Sequence, residues 1–415
     1  MEINQRIHKG NNMRHNNVLE KILKNDQTNK PAAKWGLVLS GGGTKGAYEI
    51  GAWKAIRELR IPIRGITGTS IGALNAAMFL CCDLKKIENI YRNIRLSDVL
   101  PVEGKIDPNK NIFDPVNLLS LAREYFSQKG LDNRPLRNML NTHLDIDKIY
   151  ASDLELGIVT YNIRSREAFA LFKEDIERDK LTDYLLASAN FPIYKAQIVN
   201  NRQFMDGGLY DNMPFNPLIE RRYTHLIVID INGIGMTRKL ENSDKVYLKM
   251  VSSSEDLGGT FEFNKDRIER NMKLGYLDTM KAFHKLFGSY YFFRRAAFND
   301  LLVKFDLDTI WGLETAAKIY NIDRYRIYKA EEFLSEIEKR HAEAEQKYSL
   351  SSAAALRGVD RADLRRSFAA DVSIPSLVQS FTDQPSARGG PLAKAFPDLA
   401  DAAMAIIALR NYRKL

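Results

Sequence analysis

Between Gly36 and Ala77 the chain passes twice from a short apolar run through a glycine turn into a helical pattern, and this repeated order restricts its fold more than any other feature. Trp35 to Leu39 end at Gly41-Gly42-Gly43, after which Tyr48 to Leu59 carry apolar side chains at helical spacing. Ile66 and Thr67 close a second short strand, Gly68 to Gly72 turn the chain, and Ile71 to Leu80 continue as a helix of small residues. Ser70 therefore stands on a strand-to-helix elbow.

The elbow matters because a serine hydroxyl is a poor nucleophile unless it is exposed, oriented and deprotonated by a neighbour. In Gly68-Thr69-Ser70-Ile71-Gly72 the flanking glycines remove side chains that would block a sharp turn and close helix packing. Upstream, Gly41, Gly42 and Gly43 free backbone N–H groups to point at the space in front of Ser70, and the helix opening after Gly46 adds its positive dipole end. Two other readings stay open at this level. Gly41 to Gly46 fits the loose pattern G-x-G-x-x-G of dinucleotide sites, although Glu58, near the expected spacing for a ribose-binding acid, falls inside a helix. A P-loop needs Gly-Lys-Ser/Thr, and Lys45 is followed by Gly46. The glycine clusters could also be tight turns alone.

A serine of this kind usually relies on a histidine held by a carboxylate. The six histidines do not fit that role: His8 and His15 lie in a polar leader, His143 at a surface helix end, His225 at the base of a strand, and His284 and His341 in charged helices. A carboxylate is the better candidate. Asp206 ends the strand pattern Ile198 to Met205 at Gly207 and Gly208, where open backbone surrounds it. Taken alone, Asp206-Gly207 is also a common hairpin turn.

The ordered set Gly41-Gly42-Gly43-Thr44-Lys45-Gly46, Gly68-Thr69-Ser70-Ile71-Gly72 and Asp206-Gly207-Gly208 resembles the patatin-like phospholipases of the bacterial type. Ala187-Ser188-Ala189-Asn190-Phe191-Pro192 and Gly275-Tyr276-Leu277-Asp278-Thr279 are similar to two further segments of that family. The resemblance spans roughly residues 34 to 285 and implies a three-layer α/β/α hydrolase with a mostly parallel central sheet and a helical C-terminal extension. It implies that Ser70 attacks an ester carbonyl, that Asp206 acts as base without histidine, and that the Gly41 to Thr44 backbone holds the oxyanion. The implied activity is serine lipid acyl hydrolysis, cleaving fatty acyl esters of phospholipids or related lipids through an acyl-enzyme. A second reading is a regulatory protein on the same scaffold whose serine is gated by a partner or small signal. Lys45 stands where many family members carry arginine, and no chemistry is assigned to it.

Composition narrows the partners. No run approaches the ~20 apolar residues of a membrane span, and the polar N-terminus lacks a signal peptide's apolar region, so a cytoplasmic protein is expected. The two cysteines, Cys81 and Cys82, are adjacent and read as core-packing residues. No spacing for zinc or calcium ligands occurs, so neither metal nor other cofactor is expected. A net charge of +9 suits anionic lipid or nucleic acid. Its distribution favours a lipid substrate with peripheral membrane contact, and no nucleic acid: residues 265 to 295 mix basic and apolar residues at helical spacing and end in Tyr290-Tyr291-Phe292-Phe293. The simpler reading, slightly preferred, is that this apolar stripe packs onto the hydrolase core.

The expected organisation is a loosely ordered leader at 1–33 with a short helix near Val18 to Leu23, a catalytic domain at 34–300, a charged helical subdomain at 301–349, and an Ala/Arg/Pro-rich segment at 350–415. Helical patterns at Leu118 to Tyr125 and Pro135 to Leu140 are expected to cap the substrate channel.

Overall fold

The structure is a computed structural model that describes residues 34–101, 130–241, 243–355 and 370–414. The leader with its expected helix, and the pattern at Leu118 to Tyr125, lie outside the described residues. The described residues form two compact units, divided between Ala282 and Phe283.

The first unit is built on an eight-stranded sheet. Strands β1 (Trp35–Leu39), β2 (Ile63–Thr69), β3 (Glu155–Asn162), β7 (His225–Asp230) and β8 (Tyr247–Ser252) run parallel in the order β3-β2-β1-β7-β8. β1 is buried along its whole length, as a central parallel strand covered on both faces must be. Val38, Leu226 and Val228 pack on one face against Leu218 and Tyr223. Alternation turns Leu37 and Leu39 to the other face, where helix α2 (Ile71–Cys81) lies so close that a Cβ at Gly72 would meet the Leu39 carbonyl oxygen at 2.4 Å. Helices thus cover both faces, as the α/β expectation required.

Three antiparallel strands complete the sheet: β4 (Glu167–Phe172), β5 (Gln197–Val199) and β6 (Arg202–Asp206). The single strand expected from Ile198 to Met205 is a hairpin, because Asn200 and Asn201 take left-handed conformations with φ of 46° and 59°. Asparagine tolerates that region better than most residues, which makes this pair a two-residue hairpin turn.

The register on β3 sets the site. Gly157 to Val159 pair with both β2 and β4, so those strands flank β3 on opposite sides. Thr160 to Asn162 pair with both β4 and β6, so β6 lies on the side of β2. β2 stops at Thr69, opposite Val159, and β6 fills the slot beyond it, with Asp206 opposite Thr160.

Helix α1 (Ala47–Glu58) is crossed by a helix at Lys265–Ala282. The two touch through glycines: a Cβ at Gly275 would lie 1.9 Å from the Tyr48 carbonyl oxygen, and one at Gly51 1.8 Å from that of Met272. Tyr48 also donates a hydrogen bond to Asp278 at 2.9 Å. Ile268, Met272, Leu274 and Leu277 are buried, so the amphipathic stripe serves core packing.

The second unit is helical. Its core includes Tyr291, Phe293, Phe298, Leu313, Phe333, Phe381 and Ile406. The aromatic run Tyr290 to Phe293, considered above as a lipid-facing end, is not available for that role: Tyr291, Phe292 and Phe293 are fully buried. Helices at Ala370–Asp383 and Pro397–Lys414 share this core with a helix at Leu307–Ile319, so the alanine-rich end of the chain packs with the charged helical stretch before it. Small residues permit the closeness, since a Cβ at Gly312 would meet that of Ala405 at 2.7 Å.

Replacing Gly275 by alanine forces a methyl group into the backbone of α1 and is expected to lower stability by about 1–3 kcal/mol, the usual cost of overpacking. Urea unfolding of the variant checks this; an unchanged midpoint would contradict the glycine-mediated crossing.

Candidate active site

Ser70 is the residue that leaves β2 and enters α2, with φ 56° and ψ −125°. A non-glycine residue held there costs of order 1–3 kcal/mol, and the surroundings must hold it. They do so through Ser188, which ends a helix at Leu181–Ser188. The Ser188 hydroxyl accepts from the Ser70 amide at 3.0 Å and donates to the Val159 carbonyl at 2.6 Å, tying the elbow to β3.

The gap at the end of β2 brings Ser70 and Asp206 together. The Ser70 hydroxyl donates to Oδ2 of Asp206 at 2.7 Å, while Oδ1 accepts from the Gly208 amide at 2.8 Å. Burial pushes the Asp206 carboxyl up to about 6, against the opposing pull of the Ser70 and Gly208 hydrogen bonds. A Cβ at Gly207 would lie 2.3 Å from the Val159 carbonyl oxygen, so only glycine lets the chain turn this close to β3. The segment after Asp206 is tied to β2, where Thr69 and Thr67 donate to the carbonyls of Asp211 and Pro214 at 2.7 and 2.6 Å.

The glycine loop lies against the elbow: a Cβ at Gly41 would be 3.2 Å from that of Ser70. Its four expected oxyanion donors are not equivalent. The Gly41 amide donates to the Asn212 carbonyl at 3.2 Å and the Thr44 amide to the Thr260 carbonyl at 2.9 Å, so both are engaged. The amides of Gly42 and Gly43 have no partner among the described residues. Gly43 has φ 64° and its Cβ would lie 2.1 Å from the Thr260 carbonyl oxygen, so no other residue fits there. Gly46 begins the first turn of the helix that follows, and Lys45 donates to the Asn232 carbonyl at 2.9 Å, a tether for the loop.

Behind the loop lies a buried polar cluster. Asn75 on α2 donates to the Gly46 carbonyl at 3.1 Å and to Oε2 of Glu49 at 2.7 Å, and it accepts from the Tyr91 hydroxyl at 2.7 Å. Burial holds the Glu49 carboxyl well above the usual carboxylate range. Ser188, Asn212 and this cluster joined no expected site. Ser188 lies within the Ala187 to Pro192 stretch, and Asn75 is a lone polar residue in an apolar helix, which is the only signal the chain carries for it.

Ser70, Asp206 and the glycine loop open onto a cavity of about 510 Å³. Its walls are apolar, with Leu74, Met78, Leu136, Leu140, Phe191 and Phe261 among them. No histidine lines it among the described residues. His225 pairs with Trp35 at the start of β1, whereas the elbow lies at the opposite, carboxyl end of the parallel strands. Cys81 and Cys82 are half-buried at the far end of α2, with sulfurs 3.4 Å apart.

Part of the chain matches a known family. Residues 37–219 match the family model described as patatin-like phospholipase, so the chain carries a domain of that family. It is 26% identical over 243 residues to triacylglycerol lipase 5 of Saccharomyces cerevisiae, covering 50% of this chain and 31% of that protein. It is 45% identical over 201 residues to neuropathy target esterase sws of Drosophila melanogaster, covering 48% of this chain and 13% of that protein. The chain thus spans less than a third of the length of these relatives. Both are eukaryotic proteins, so the domain assignment carries no bacterial qualifier. The crystal structure of VipD from Legionella pneumophila aligns over 91% of this chain and 90% of that one at 14% identity, with a TM-score of 0.36, too low to bear on the reading.

If Asp206 prepares Ser70, labelling of Ser70 by a fluorophosphonate follows ionisation of that carboxyl. The ionised form dominates above about 6 and is lost below it, so the labelling rate is expected to rise about tenfold between pH 5 and pH 7. A midpoint near 4 or a flat profile, read by quantitative mass spectrometry of the Ser70 peptide, would contradict the pairing.

Proposed function

We propose that this chain is a serine lipid acyl hydrolase, in which Ser70 is the nucleophile and Asp206 its only base. The observation that carries the proposal is the 2.7 Å hydrogen bond from Ser70 to Asp206 at the edge of a large apolar cavity. The family match and the lipid-directed names of the relatives support the substrate class.

In the proposed reaction a fatty acyl chain enters the apolar cavity and its ester carbonyl meets Ser70. The serine Oγ attacks as its proton passes to Oδ2 of Asp206. Negative charge develops on the carbonyl oxygen, and the free amides of Gly42 and Gly43 receive it; one such donor is worth about 3 kcal/mol. The protonated Asp206 then gives the proton to the departing alcohol, leaving the acyl group on Ser70. Water, deprotonated by Asp206, releases the fatty acid and restores the serine. A carboxyl group with a value near 6 suits both duties, since it accepts and returns a proton close to neutrality. The oxyanion role rests on Gly42 and Gly43 rather than on all of Gly41 to Thr44, because the other two amides are committed to the protein.

Release of fatty acid from lysophosphatidylcholine, phosphatidylcholine and triacylglycerol tests the proposal. Ser70→Ala and Asp206→Asn are each expected to lower turnover about 10³-fold or more, while alanine variants at His143, His225, His284 and His341 that fold normally retain it. Absence of Ser70-dependent release from every acyl ester would overturn the hydrolase reading. Loss in His225→Ala alone would overturn the two-residue assignment.

A further inference from the structure

Five large apolar side chains are exposed in the described part of the first unit, Ile198, Leu209, Ile234, Met236 and Met250, and three of them line the cavity. Ile234 is 82% exposed, Met236 65% and Leu209 42%, yet all three also line the entrance to the cavity. They sit on two mutually bonded loops: the Met236 amide donates to the Gly208 carbonyl at 2.9 Å, and Met236 accepts from the Asn212 amide at 2.5 Å. A side chain as large as isoleucine that stands clear of the protein at a site mouth, held on a pinned backbone, gains from an apolar environment outside the molecule.

The charges around this lip point to what that environment is. The lip follows the carboxyl end of β7, and the β3–β4 and β5–β6 turns project from the same end of the sheet. The first turn carries Arg164 and Arg166, Arg202 begins β6 directly after the second, all three are exposed, and Lys239, three residues past Met236, is exposed as well. Arg164, Arg166 and Lys239 make no ion pair among the described residues, and Arg202 lies over the Phe169 ring. Of the acids at this end, Glu241 pairs with Arg238, while Glu167, Asp230 and Asp256 make no ion pair among the described residues, and the arginines gather on the side of the β3–β4 and β5–β6 turns. Ile198, 60% exposed, stands on β5 beside Arg202.

We propose that this end of the first unit is a docking surface for an anionic lipid bilayer, with Ile234 and Met236 inserting among the acyl chains while Arg164, Arg166, Arg202 and Lys239 meet the headgroups. Apolar insertion and cationic contact are the two signals that together hold a peripheral protein on a membrane. This surface replaces the helix at 265–282 as the lipid-facing element, since the apolar stripe of that helix is buried. The inference rests on the acyl hydrolase reading for its purpose: a mouth seated in the bilayer lets an acyl chain pass from lipid to cavity without crossing water.

The test uses the full chain as Ser70→Ala, so that bound lipid is not consumed, in co-sedimentation with vesicles of phosphatidylglycerol and phosphatidylcholine. Ile234→Ser/Met236→Ser is expected to weaken partitioning at least tenfold. Arg164→Glu/Arg166→Glu is expected to weaken it at least tenfold on the anionic vesicles and to leave weak binding to pure phosphatidylcholine unchanged. With Ser70 restored, the arginine variant is expected to hydrolyse soluble p-nitrophenyl butyrate normally and vesicle lipid several-fold more slowly. Both double variants binding anionic vesicles as tightly as the parent would overturn the docking surface, as would equal loss from charge reversal on neutral vesicles. Because binding is read with Ser70 removed, its failure is separate from failure of the hydrolase reading, which shows only in Ser70-dependent turnover.

Discussion

The candidate site depends on β3 outrunning β2. Had β2 continued past Thr69, no slot would remain for β6, and Asp206 would have no place beside the serine. The broken pairing turns one strand end into an elbow and the neighbouring strand end into a carboxylate perch, 136 residues apart in sequence and 2.7 Å apart in space. Strain at Ser70 is tolerated because Ser188 binds its amide and anchors to the same β3 that carries Asp206 through backbone pairing. A shift of β3 would therefore move Ser70, Asp206 and Ser188 together, which preserves their geometry.

In the proposed reaction, burial of Asp206 supplies the basicity that a histidine would otherwise provide. An exposed aspartate near its ordinary value of about 4 is too weak a base to compete for a serine proton at neutral pH. Enclosing Asp206 between β3, the glycine turn and the cavity raises it to about 6, and its two hydrogen bonds keep it oriented. The same economy of donors appears in the glycine loop. Asn212 and Thr260 fasten its two ends, and the central amides, of two glycines that line the cavity, keep no partner among the described residues.

Local chemistry was legible in the chain and long-range commitment was not. The elbow, the glycine loop and the Asp-Gly-Gly turn each follow from residues a few positions apart, because their conformations depend on glycine geometry. Which amides of Gly41 to Thr44 are spent was illegible, since the acceptors, Asn212 and Thr260, lie some 170 to 216 residues away. The Asn200-Asn201 turn was readable in principle, but the polar strand around it masked the hairpin. Basic and apolar residues at 265–295 fit either a membrane contact or, slightly preferred, packing onto the core, since amphipathic pattern cannot tell lipid from a neighbouring helix, and the close approach at Gly51 and Gly275 favours the helix. Composition sets residues 350–415 apart from the stretch before them, but it carries no sign of where they pack: Ala402, Ala403 and Ala405 of the last helix are buried in the second core, where Ala405 lies against Gly312 of the helix at Leu307–Ile319.

The central claim is that a carboxylate alone drives acyl transfer to Ser70, and trapping the covalent intermediate tests it most directly. Rapid acid quench of the enzyme mixed with a long-chain p-nitrophenyl ester, followed by peptide mass spectrometry, should find the fatty acyl mass on the peptide bearing Ser70 within the first turnover, and none on that peptide when Asp206 is asparagine. An acyl group on another residue, or undiminished acylation of Ser70 in Asp206→Asn, would contradict the account.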